Sequence, residues 1–180
     1  MVRTRIEHDV MVVEPGCVLG QLIDALWKNG KAVPHGDCFG VGARGHFLTA
    51  GWDIALARRH GLGCQSVVGG RVALWNGEVV GVDENSHPDL LYAMRGGAVA
   101  KVGVVTEIRL RLLDQPALVS WCFRSLSSVE LEKLVSQQAF ACASTLPNGV
   151  SVSFRFHFHP DQLEPVCSFN VVSLLPVQNT

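Results

Sequence analysis

The spacing of apolar residues changes several times along this chain, and each spacing predicts a different element. Val10 to Val13 form a short apolar run closed by Glu14-Pro15-Gly16, which reads as a strand and a turn. Val18, Leu19, Leu22, Ile23, Leu26 and Trp27 recur three and four residues apart, predicting a helix with one apolar face that Asn29-Gly30 ends. Lys31 to Pro34 reads as a short strand. Periodicity then stops over a glycine-dense stretch beginning at His35, and resumes at Trp52 to Arg59, which reads as a helix whose first turn points back at those glycines.

Gln65 to Trp75 is extended and valine-rich, Asn76-Gly77 favours a type I′ turn, and Glu78 to Asp83 is a second strand, so a β-hairpin is predicted. Pro88 suits the first position of a helix over Asp89 to Met94 that Gly96-Gly97 stops. Val102 to Leu113 is the longest strand. Period two puts Val104, Ile108, Leu110 and Leu112 on one face and Glu107, Arg109 and Arg111 on a solvated other.

The character changes at Asp114-Gln115-Pro116, placing a boundary between a first domain over 1–114 and a second over 115–180. Val119 to Phe123 reads as a strand, and Ser127 with Glu130 forms a capping box for a helix reaching about Ala143. From Val150 to His159, Val152, Phe154, Phe156 and Phe158 alternate with Ser153, Arg155, His157 and His159, the pattern of a half-buried strand. Val166 to Leu175 adds one more strand. His157 and His159 face either solvent or a cavity.

Composition narrows the class. Apolar residues make up 48% of the 180 and charged residues 17%, a balance that builds a core and not a disordered chain. A net charge of −1, with no basic stripe, argues against nucleic acid. No apolar run approaches the roughly 20 residues of a spanning helix, and MVRTRIEHDV has no apolar h-region, so neither membrane insertion nor a signal peptide is expected. The six cysteines are widely spaced with no Cys-x-x-Cys pair, and read mostly as buried thiols. His35, Cys38, His46 and Cys64 match no metal spacing, so no metal is expected.

The candidate chemistry lies between His35 and Gly63. Gly36, Gly40, Gly42, Gly45 and Gly51 let the backbone turn tightly and approach a ligand, and Cys38 places a sulfur nucleophile among them. Cys38 as a small core residue and His46 as a hydrogen-bond partner within a turn are the plainer readings of the same residues.

The order Gly36-x-Cys38, Val41-Gly42-x-x-Gly45-His46 and Gly51 resembles the flavin-wrapping segment of the berberine-bridge-enzyme-like FAD-linked oxidases. Further landmarks follow in that family's order: Gly61-Leu62-Gly63-Cys64, Val67-Val68, Arg71-Val72, Asn76-Gly77, His87-Pro88-Asp89-Leu90, Arg95-Gly96-Gly97 and Gly103-Val104-Val105-Thr106. The likeness spans residues 9 to 112, and 117 to 172 more loosely resemble the opening of the family's substrate domain. It implies an α+β fold: the second half of a PCMH-type (vanillyl-alcohol-oxidase-like) FAD-binding domain, antiparallel strands with flanking helices, joined to the start of an α+β substrate domain.

The resemblance implies FAD as cofactor, with Cys38 as a covalent attachment point and Val41 where the family controls oxygen access. Gly42, Gly45, His46 and Gly51 would line the flavin, and Val104 and Val105 would give backbone contacts toward the adenine. It implies an oxygen-dependent flavoprotein oxidising an alcohol, amine or sugar carbon of a small molecule in secondary metabolism, in a family whose members are often secreted.

The chain departs from the pattern in ways that set a competing expectation. The family's preceding half-domain, with the histidine of its second flavin bond, has no counterpart here, and neither do its later substrate-domain strands, so no catalytic base is assigned. Arg44 stands where glycine is usual, Ala50, Trp52 and Asp53 replace much of a glycine run, and Gln65 stands where Asp is frequent. Arg44 would either clash or pair with a pyrophosphate. The alternative is a non-catalytic truncated relative with weak or no flavin binding. Apolar faces bearing Val10, Val12, Leu22 and Leu26, and a strand edge with Phe154, Phe156 and Phe158, are expected uncovered, favouring self-association or a partner chain.

Overall fold

The structure is a computed structural model and describes residues 2–98, 102–158 and 165–175. The chain divides into two compact units, Met1–Gln115 and Pro116–Thr180.

In the first unit a five-stranded antiparallel sheet has the order β1-β2-β6-β4-β5, formed by β1 (Thr4–Glu7), β2 (Val10–Val13), β4 (Val67–Leu74), β5 (Val79–Val82) and β6 (Gly103–Arg111). A two-residue ladder joins β3 (Lys31–Ala32) to β7 (Leu113–Asp114). One core unites Met11, Val13, Val72, Ile108 and Leu110 of the sheet with Leu19, Leu22 and Leu26 of α1 (Leu19–Lys28), Phe47 and Leu48 of α2 (Ala43–Leu48), and Leu91 and Met94 of α4 (Pro88–Met94). Burying side chains of this kind contributes roughly 1.5–3 kcal/mol each, which is why Leu19, Leu22 and Leu26 survive as a packed face of α1, whereas Trp27, expected on that face, is exposed. Val12, Leu22 and Leu26 are buried and Val10 half-buried, so the faces expected to be bare are closed by this unit's own residues. Val12, on the opposite side of β2, lies in register between Arg5 and Arg109.

Strand β1 carries no apolar alternation, and charge pairing explains its place. Arg5 Nε donates to Glu7 Oε1 at 2.7 Å, and Arg109 Nη2 lies 2.9 Å from Glu7 Oε2, so the arginine face of β6 is paired with an edge strand. The longest strand also differs from strict period two. Its pairing with β4 slips between Arg71↔Glu107 and Val72↔Val105, a β-bulge that inverts the alternation. Val104 is therefore exposed and Val105 buried, while Ile108, Leu110 and Leu112 stay inside.

The helix expected over Trp52 to Arg59 is only α3 (Ala57–His60), and a different helix, α2, occupies the glycine stretch. Ala43, Phe47 and Leu48 supply buried contacts that outweigh the low helix propensity of Gly45. The helix-terminus argument attached to Trp52 falls with it.

The second unit holds β8 (Ser120–Leu126), β9 (Val150–Phe158) and β10 (Pro165–Ser173) in the order β8-β10-β9, all antiparallel. Helix α5 (Ser128–Ser136) begins at the Ser127 capping box and stops at Gln137, and Gln138 adopts a φ of 51° before a 3-10 turn over Ala139–Ser144. The expected continuous helix to Ala143 is thus two pieces. On β9, Phe154 packs against Phe140 and Phe169 at centroid distances of 4.5 and 6.2 Å, whereas Phe156 is 59% exposed and Ser151 is buried. The half-buried pattern thus holds at Phe154, while Phe156 is uncovered, as expected of this strand. His159 lies outside the described residues, as do the side chains of His157 and Phe158.

Candidate functional site

The glycine stretch folds as a loop over 35–42, the short helix α2, and a return loop to the 3-10 turn Gly63–Ser66. Cys38 is exposed at the crest of the first loop, beside Phe39 at 65% and Val41 at 41% exposure. The far side of the crest is tied to α1. Leu19 N donates to Val41 O at 2.8 Å and Gly20 N to Phe39 O at 2.9 Å, so two amides that a helix start leaves without intrahelical partners hold the loop. Ala43 N donates to Cys17 O at 2.8 Å, fixing the start of α2 in the same way.

The glycines fall into two groups. A β-carbon at Gly40, Gly42 or Gly45 would meet nothing within 4 Å, so these positions border open space. Gly36, Gly51 and Gly63 instead crowd His46: added β-carbons would come within 3.3, 3.1 and 3.1 Å of its ring, and Gly51 has a φ of +68° besides. His46 Nε2 lies 3.4 Å from Pro34 O, and its ring meets Phe47 edge-on at 4.8 Å. Burial lowers the imidazole pKa below its ordinary value, ahead of an opposing effect from the Pro34 carbonyl. His46 is therefore a neutral strut beneath the loop.

Cys38, Val41, Gly42, Gly45, His46 and Gly51 thus come together in one segment, the first four outward and the last two inward. Val104 and Val105 lie apart on β6. Their strand partner is β4, and β2 pairs with β6 only from Ile108 to Arg111, leaving the other backbone edge of Val104 and Val105 without a ladder among the described residues. Arg44 is exposed on α2 and not in a tight turn.

Sequence reading did not single out Asp53 as a site residue. Its carboxylate accepts hydrogen bonds from Ala55 N and Leu56 N through Oδ1, at 2.8 and 2.6 Å, and from His35 N through Oδ2 at 3.0 Å. The signal was available, since an aspartate two and three residues before the amides of a turn is the Asx pattern. Arg95 was likewise only a landmark, yet its Nε donates to Val67 O at 2.7 Å and ties the end of α4 to β4. Among the described residues there is no cluster of metal-binding side chains and no helix long and apolar enough to cross a membrane.

No protein-family model matches the chain. The fold has a clear counterpart in the berberine-bridge-enzyme-like protein 1 of Physcomitrella patens, with a TM-score of 0.83 and 26% identity, over 97% of this chain and 37% of that one. The antiparallel sheet and flanking helices thus match part of the PCMH-type FAD-binding fold. In sequence the chain is 37% identical over 110 residues to a chitooligosaccharide oxidase of Gibberella zeae, covering 61% of this chain and 22% of that protein. It is 36% identical over 114 residues to berberine bridge enzyme-like 23 of Arabidopsis thaliana, covering 62% and 21%. In sequence and fold the chain is thus similar to the berberine-bridge-enzyme-like FAD-linked oxidoreductases, and it spans about a fifth of the length of these two relatives.

Proposed function

We propose that this protein is an FAD-dependent oxidoreductase, with the flavin seated on the Cys38 crest and a small-molecule alcohol, amine or sugar carbon as hydride donor. The observation that carries the reading is the open surface at the crest: an exposed thiol, two exposed apolar side chains and three glycines bordering empty space, backed by a rigid floor at His46 and Gly51. Such a surface fits a flat, largely apolar ring system, and the missing β-carbons let it lie close to the backbone. The backbone edge at Val104 and Val105, without a ladder among the described residues, suits polar contacts farther along the cofactor. A sugar is the donor favoured by the relatives, one of which is named for chitooligosaccharides.

Bound there, FAD would supply the hydride acceptor, with O2 as the final oxidant. Cys38 would hold it through sulfur, Val41 would stand over the ring edge that oxygen reaches, and Gly42 and Gly45 would admit it to the backbone. His46, kept neutral by burial, would hold the floor without adding charge.

The test is a flavin titration of the purified chain, with peptide mass spectrometry of any flavin surviving denaturation. Quenched flavin fluorescence, and flavin mass on the Cys38 peptide that disappears in Cys38→Ala, is the expected result. A protein that stays colourless and leaves flavin fluorescence unchanged overturns the reading.

A further inference from the structure

Among the described residues Asp53 is the one charged side chain that is buried, at 4% exposure. Burying a carboxylate is costly unless donors surround it, and here its two oxygens divide three backbone amides between them. Oδ1 serves its own turn through Ala55 N and Leu56 N. Oδ2 reaches His35 N, 18 residues upstream, with His35 Nδ1 at 3.8 Å from the same oxygen. His35 is the entrance to the Cys38 loop.

The next residue is also held. A β-carbon at Gly36 would stand 3.3 Å from His46 Cε1 and 3.5 Å from Trp52 O, so the chain there lies against both. The loop's exit is fixed by Leu19 N and Gly20 N, and Val41 N donates to Cys38 O at 3.2 Å across the crest. Cys38 therefore rides on a short span with an anchor at each end, and the entry anchor is the Asp53 carboxylate.

We propose that Asp53 is the positioning residue of this loop: its Oδ2, through His35, sets where the Cys38 thiol stands. The proposal rests on the reading of this loop as the flavin seat. Asp53 touches neither thiol nor cofactor, and its effect passes through the backbone of His35 and Gly36. The division of labour between the oxygens makes it testable. Asp53→Asn keeps an Oδ1 that accepts from Ala55 N and Leu56 N, but presents an NH2 group where His35 N needs an acceptor.

Residue-resolved amide exchange and flavin titration on the full chain, wild type beside Asp53→Asn, test this. Exchange at His35 and Val41 should rise roughly tenfold, the opening expected when one charge-assisted hydrogen bond is lost, while Ala55 and Leu56 keep their protection. Flavin affinity should fall by a similar factor, and His35→Ala, which retains the backbone amide, should fall much less. Unchanged exchange at His35 and Val41 overturns the proposal. Should Asp53→Asn fail to fold, the wild type alone decides: a His35 amide protected like that of Leu56 supports it, and one exchanging at the free-chain rate overturns it. A wild type that binds no flavin defeats the reading of the seat, while the exchange data still judge the role of Asp53 in holding the loop.

Discussion

Lys31 Nζ stands 2.8 Å from Asp114 Oδ1 and 2.8 Å from Asp9 Oδ1, so a single ammonium joins the β1–β2 turn to the last residues of the first unit. The hydrogen bond to Asp114, then that to Asp9, raises the lysine pKa above its ordinary value, and Lys31 in turn lowers that of Asp9. A raised lysine stabilises at every pH below its unfolded value, and a lowered aspartate stabilises above its own. The contribution therefore persists through neutrality and is lost in acid, as Asp9 protonates below about pH 3.9. Lys31→Met should cause a small loss of stability that shrinks with added salt, because these carboxylates are exposed. Denaturant midpoints at low and high salt check this, and a variant matching wild type at low salt would show that the pairing contributes nothing.

His46 also loses its contribution as pH falls, but in a higher window than Asp9. Burial lowers its folded-state pKa, so the unfolded chain binds the proton more readily, and stability falls as pH drops below about 6.5 toward the folded value. His60 is shifted in the same direction, by burial and then Arg59, so the comparison must be between variants. His46→Gln should be less stable than wild type at pH 8 and show a flatter decline between pH 7 and 5. Equal slopes in urea titrations across that range would remove His46 from the account.

Gly51 combines a φ of +68° with a crowded site, an added β-carbon falling 2.9 Å from both Gly63 Cα and His46 O. Left-handed backbone costs a non-glycine residue roughly 1–2 kcal/mol before any clash is counted. Gly51→Ala should therefore lose at least that much, while Gly42→Ala, at an open position with a φ of −68°, should lose far less. Equal melting temperatures for the two variants would contradict the division of the glycines into floor and surface.

At the start of α5, Ser127 Oγ accepts from Glu130 N at 3.3 Å while Glu130 Oε2 accepts from Ser127 N at 3.0 Å. Ser127→Ala should cost the second unit about 1 kcal/mol, read as a shift in its thermal transition. An unchanged transition would mean the helix is held by packing alone.

Local patterns made most of the sheet strands, α1 and the α5 cap legible, but not β1, which carries no apolar alternation. What stayed hidden depended on distant partners. The bulge that exchanges Val104 for Val105 arises in the pairing of β6 with β4, and nothing within residues 102–113 announces it. Helix α2 has too few apolar positions to show a period, and only burial of Phe47 and Leu48 reveals it. The candidate site was found through its cysteine and glycines, yet the glycines looked equivalent in sequence. Only the structure separates Gly40, Gly42 and Gly45, which border open space, from Gly36, Gly51 and Gly63, which pack on His46. Asp53 was noticed as a departure from a glycine run, and its partner His35 is too far away in sequence for the pair to be seen.

In the sequence Arg44 stands where glycine is usual and would either clash or pair with a pyrophosphate. It is an exposed residue of the six-residue α2, followed directly by Gly45. A second glycine there costs roughly 1 kcal/mol of helix relative to alanine, so Arg44→Gly should weaken flavin binding by loosening the segment that carries the open positions. Arg44→Ala preserves the helix and removes only the guanidinium. If that group pairs with the cofactor's phosphates, the alanine variant should bind FAD roughly tenfold more weakly at low salt and approach wild type as salt rises. The two variants then separate in one titration series: alanine gives a salt-dependent deficit, and glycine gives the same deficit with a further loss that salt does not relieve. An alanine variant that binds like wild type at low salt would dismiss the phosphate pairing, and a glycine variant that binds more tightly than wild type would restore the clash.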